Sequence, residues 1–152
     1  MPPAPEIDWE SLVVAAEEAR GKACAEWSGY RVGAALLAED GSVHAAPNVE
    51  LSIPALGTCA ERNALVGAVA AGRRRFRALA VVTDSSPPAF PCGACRQALV
   101  DFVPAEGDLP VLAANARGER RRTRLSALLP EAFRLGEHRH PVATGQGRRA
   151  GR

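Results

Sequence analysis

No apolar run in this 152-residue chain approaches the roughly 18–20 residues needed to span a bilayer, so a membrane-spanning helix is not expected. The start, Met1-Pro2-Pro3-Ala4-Pro5-Glu6, lacks the basic residues and apolar stretch of a secretory signal. A cytoplasmic location is the expectation. A strong charge of one sign is missing too: 19 Lys+Arg against 17 Asp+Glu leave +2, a balance that requires no nucleic-acid partner. Lys22 is the only lysine, so arginine dominance is a bias of the whole chain. Arg73-Arg74-Arg75 and Arg120-Arg121-Arg122 read as solvated surface. Neither an internal repeat nor a second domain is visible. What is present is 47% hydrophobic residues, enough for one core.

Periodicity gives the element order. Trp9, Leu12, Val13, Ala16, Ala19 and Ala23 recur on one face of a helix expected over 7–25. Residues 32–38 and 42–46 read as a hairpin turning at Glu39-Asp40-Gly41. After a loop broken by Pro54 and Gly57, Thr58 and Glu61 have capping-box spacing. That helix is expected to run to Ala71, with Leu65, Val66 and Val69 facing the core. A strand over 78–83, a helix from Cys92, strands over 109–114 and 123–125 and a final helix over 126–133 follow. The order implies an α/β fold, a mixed sheet with helices on its faces. Residues 1–135 form one domain, and the basic stretch 136–152 is expected to be a disordered tail.

Four cysteines in such a chain are better read as metal ligands or core residues than as disulfides. Cys24 stands apart and is expected to be buried and inert. The others form Cys59-Ala60-Glu61-Arg62 and Pro91-Cys92-Gly93-Ala94-Cys95-Arg96-Gln97. A structural zinc site needs a fourth ligand, and no good one exists: His138 and His140 fall in the tail, and His44 is expected to be exposed on the hairpin. Three thiolates around zinc with an open fourth position suit catalysis. Cys59 and Cys92 at helix starts favour thiolates. Arg62 and Arg96 adjoin ligands and can donate to sulfur, offsetting negative charge. Glu61, two residues after the first ligand, suits a general acid/base for hydrolytic deamination of a nucleobase.

With Ser28-Gly29-Tyr30-Arg31-Val32-Gly33-Ala34-Ala35-Leu36, Asn48-Val49-Glu50 and Leu128-Leu129-Pro130, these motifs resemble the small homo-oligomeric zinc-dependent cytidine deaminases, over about residues 10–135. The resemblance implies a three-layer α-β-α fold with a five-stranded mixed sheet. It implies zinc on Cys59, Cys92 and Cys95, and proton transfer by Glu61. Asn48 and Glu50 would hold the ribose 3′-hydroxyl, Tyr30 would pack on the base where phenylalanine is common, and the Ala60 backbone would read the pyrimidine edge. Arg62, Arg96 and Gln97 would support the ligands. A homotetramer with composite sites is implied, in which Phe133 can reach a neighbouring subunit's site. Residues 51–58, Leu51-Ser52-Ile53-Pro54-Ala55-Leu56-Gly57-Thr58, depart from the family pattern, which leaves the nucleoside open. The alternatives are a deaminase of a modified cytosine nucleoside, for which the related blasticidin-S deaminases are the example, and a zinc-stabilised binding module without catalysis. A nucleic-acid-editing deaminase is disfavoured by Cys-x-Glu in place of His-x-Glu.

Overall fold

Two strands carry almost no polar side chain, and they lie at the centre of the sheet. In the computed structural model, which describes residues 6–103 and 106–135, these are β1 (Gly33–Ala38) and β3 (Phe76–Thr83). Both faces of each are covered, so both read as continuous apolar runs. The other elements are α1 (Trp9–Arg20), β2 (Val43–Pro47), α2 (Ala60–Ala70), α3 (Gly93–Val100), β4 (Pro110–Asn115), β5 (Arg120–Arg124) and α4 (Leu125–Leu128). The expected order of helices and strands is the observed one, with a short 3₁₀ turn (Pro54–Leu56) inside the expected loop.

The sheet runs β2-β1-β3-β4-β5. Only β3 and β4 are parallel; the other pairs are antiparallel. Alternation along the strands splits the core in two. Ala34, Leu36, Leu79 and Val81 pack with α2 and α3. Ala35, Leu37, Ala78, Ala80 and Val82 pack with Leu12 and Ala16 of α1. The result is the three-layer arrangement.

α1 approaches β1 as closely as backbone allows. A Cβ on Gly33 would lie 1.8 Å from the Ala16 carbonyl oxygen and 2.5 Å from the Arg20 nitrogen. Neither atom belongs to a side chain that could swing away. Gly33→Ala is expected to destabilise the protein by about 3 kcal/mol or more, since overpacking against backbone has no rotamer escape. Urea unfolding measures it.

Several boundaries differ from expectation. α1 stops at Arg20, and the chain then turns so that Cys24 can bridge to Val49. Cys24 is exposed, not buried, with its Sγ 3.8 Å from the Glu50 carbonyl oxygen. Thr58 does not cap α2: its N–H and carbonyl pair with Val49, and Cys59 takes the cap position without a side-chain cap bond. Glu61 is therefore the second helical residue and no capping-box partner. Val66 is 67% exposed, because the inward stripe of α2 is Glu61, Ala64, Leu65 and Ala68. β5 begins at Arg120, since Asn115 Oδ1 accepts the N–H groups of Arg117 and Glu119 and closes the turn early. The arginines there are exposed, as expected, and Arg120 and Arg122 are tethered: Arg120 pairs with Glu10, and Arg122 lies 5.4 Å over Trp9. α4 has one turn, not two, before Pro130 and Glu131 at φ 52°. His44 is half-buried, 3.1 Å from the Ser42 hydroxyl. The stretch 136–152, with His138 and His140, lies outside the described residues.

Candidate active site

A cavity of about 670 Å³ opens where α2 and α3 begin, walled by the 48–58 loop, the segment 27–32, the end of β3 and the approach to Cys92. The motifs around Tyr30, Asn48, Cys59 and Cys92 contribute to it; Leu128-Leu129-Pro130 does not line it.

Cys59 and Cys92 are the N-caps of α2 and α3, and Cys95 is one turn further into α3. The loops entering both helices bring together thiols 33 residues apart. Cys59 Sγ lies 3.8 Å from Cys92 Sγ, which lies 3.6 Å from Cys95 Sγ. Zinc bound tetrahedrally at 2.3 Å separates its sulfur ligands by about 3.8 Å. The donor set therefore fits one zinc ion per chain, and among the described residues no other cluster could hold a metal.

The thiols are electrically unequal. A hydrogen bond from the Cys95 thiol pushes the Cys59 pKa down to about 5, with help from Arg62 and Cys92. The same bond, burial and the nearby Glu61 charge push Cys95 up. Arg62 donates to Cys59 Sγ across 3.8 Å, and its buried Nε has no partner. That orphaned donor beside three sulfurs fits a centre that gains negative charge.

Glu61 is only 4% exposed and lines the cavity floor. Desolvation, then the Cys59 charge, raises its pKa above the ordinary carboxyl range. A carboxyl so placed can both accept and return a proton. Ala60, fully buried at the start of α2, lines the same floor.

Asn48, Glu50 and Tyr30 also line the cavity. Asn48 clamps the segment before β1: its Oδ1 accepts the Val32 N–H at 2.9 Å and its Nδ2 donates to the Tyr30 carbonyl at 2.9 Å. The Glu50 carboxylate accepts the Ser28 hydroxyl and the N–H groups of Trp27 and Ser28, which lowers its pKa. Both residues thus build the wall as well as offering polar atoms.

Arg96 does not reach sulfur. Its guanidinium donates to the Pro91 carbonyl at 2.6 Å and the Leu128 carbonyl at 2.8 Å, holding the backbone just before Cys92. Gln97 donates to the Phe133 carbonyl at 2.8 Å. Phe133 is 55% exposed and is not part of this chain's own cavity wall. Trp27, Thr83 and Phe90 line the cavity without having been singled out. Thr83 could have been found, since it ends β3 and ligands gather at the carboxyl ends of parallel strands.

Known proteins share this frame. The profile of the cytidine and deoxycytidylate deaminase zinc-binding region matches residues 7–106. A cytidine deaminase of Sporosarcina psychrophila is 44% identical over 127 residues, 84% of this chain and 92% of the relative. One from Halalkalibacterium halodurans is 43% identical over 127 residues, 84% and 95% of the two chains. The crystal structure of cytidine deaminase from Burkholderia pseudomallei is similar with a TM-score of 0.78 at 43% identity, covering 84% of this chain and 100% of that one. This chain belongs to the cytidine and deoxycytidylate deaminase family.

Proposed function

We propose that the protein hydrolyses cytidine and deoxycytidine to uridine and deoxyuridine, releasing ammonia. The observation that carries this reading is the desolvated Glu61 carboxyl on the floor of a nucleoside-sized cavity, two residues from one of three clustered thiols. Zinc held by Cys59, Cys92 and Cys95 supplies Lewis acidity that lowers the pKa of water. Glu61 takes a proton from the attacking water and delivers it to N3 of the base. The water oxygen adds to C4. Glu61 then takes the proton of the new C4 hydroxyl and passes it to the 4-amino group, and the C4–N bond breaks to leave the C4 carbonyl and ammonia. Arg62 offsets charge at the thiolates. Asn48 and Glu50 meet the ribose hydroxyls, and Ala60 meets the pyrimidine edge. Tyr30 packs on the base.

The setting we propose is cytoplasmic pyrimidine salvage, where thiols stay reduced and free to bind metal. The assembly we propose is a homotetramer with composite sites, Phe133 reaching a neighbour's cavity. Exposed Ile53, Leu56 and Val66 beside the cavity wall and on the outer face of α2 support such burial.

Purified protein is expected to carry about one zinc per chain and to convert cytidine and deoxycytidine, read by ammonia release. If both are inert while a base- or sugar-modified cytosine nucleoside reacts, the substrate assignment falls and the chemistry stands.

A further inference from the structure

The approach to Cys92 is rich in Ser and Pro and has no regular structure, yet side chains from across the fold hold it. Arg20 of α1 pairs with Asp84. Asn115 Nδ2 donates to the Ser85 carbonyl at 3.0 Å, and the Ser86 hydroxyl donates to Glu119 at 2.8 Å. Arg121 donates to the Pro88 carbonyl at 3.2 Å and lies 4.6 Å over the Phe90 ring. Arg96 holds the Pro91 carbonyl.

One further link crosses from the opposite wall. The Tyr30 hydroxyl lies 3.2 Å from Ser85 Oγ, and Ser85 Oγ lies 2.8 Å from Thr83 Oγ1. Thr83 is 2% exposed, and its Oγ1 also accepts the Ala89 N–H at 3.4 Å. The chain of hydroxyls therefore ends in the buried rim of the sheet. Tyr30 itself is 39% exposed, so packing alone does not fix its ring. A phenylalanine could fill the same space without making the link.

We propose that Tyr30, Ser85 and Thr83 form a strut fixing the separation of the two cavity walls, with Tyr30 and Ser85 as positioning residues for the nucleoside. The inference rests on the deaminase reading. A strut of this kind preorganises the face against which the base packs, and so acts on binding of substrate and transition state alike. The Cys92 end of the segment is held separately by Arg96 and Arg121, so the metal centre stays in place when the strut is cut.

The experiment is steady-state kinetics on cytidine with Tyr30→Phe, Ser85→Ala, the double variant and Ser85→Thr. Each of the first two is expected to raise KM about three- to tenfold, the worth of one hydrogen bond, with kcat within about twofold of wild type. The double variant should be no worse than either single one, because both cut the same strut. Ser85→Thr keeps a hydroxyl and should keep the wild-type KM. An unchanged KM in Tyr30→Phe, additive losses in the double variant, or a fall in kcat at constant KM would each overturn the proposal. Wild-type inactivity on every cytosine nucleoside would remove the functional reading and this inference with it; an active wild type with indifferent variants removes only the inference.

Discussion

Glu61→Gln is expected to lower kcat by about 10²–10⁴-fold, the usual worth of a positioned general acid/base, while zinc content stays at the wild-type level. Glutamine keeps the volume and polarity of the side chain and cannot carry a proton. The buried position predicts a second effect on stability. Burial raises the native pKa of this carboxyl above its ordinary 4.5. The native state then binds the proton more tightly than the unfolded chain. Stability falls as pH rises from the ordinary carboxyl value through the raised native one. Glu61→Gln removes that loss, so the metal-free variant should be at least as stable as metal-free wild type at neutral pH. Kinetics, metal analysis and urea unfolding of the same preparation give all three readouts. Wild-type turnover in the variant would take the proton-transfer role away from Glu61.

Cys92→Ala is expected to abolish both zinc binding and turnover. Two thiols are left, and a catalytic zinc site keeps three protein ligands. The fold should survive in the metal-free form. Cys92 is exposed and makes no side-chain cap bond, so its truncation should cost metal-free protein less than about 1 kcal/mol. Wild-type protein should gain thermal stability from zinc, because the ion binds the folded arrangement alone; the variant should gain none. Turnover that persists after zinc is lost would sink the metal mechanism.

The chemistry of this site was legible in sequence because its parts are local. Cys59 and Glu61 share one helical turn, and so do Cys92 and Cys95, so spacing alone places each pair. The long apolar strands β1 and β3 were legible for a similar reason: burial on both faces leaves an unmistakable run. Glu61 was misread in one respect. Its capping-box spacing suggested a role in backbone capping, yet Thr58 had been claimed by Val49 through a bridge formed in three dimensions. Val66 was misassigned because an apolar residue on a short helix says nothing about which stripe faces in. The role of Arg96 was beyond sequence reasoning: adjacency to a ligand does not reveal that two distant carbonyls compete for the guanidinium. Ser85 stayed hidden for the same reason. Hydroxyl residues in a loop acquire meaning only once Tyr30 is seen to reach them.

The central strands are lined by alanine: Ala34, Ala35 and Ala38 on β1, Ala78 and Ala80 on β3, Ala113 and Ala114 on β4, all essentially inaccessible. Alanine has no side-chain rotamers to freeze on folding. The sheet therefore gains close contact with the helices at little cost in side-chain entropy, and it offers them few alternative packings. The relative placement of Cys59 and Cys92 is then a property of the backbone platform beneath α2 and α3. Such a platform holds its ligands in register before any ion arrives, so little of the metal's binding energy is spent on ordering the protein.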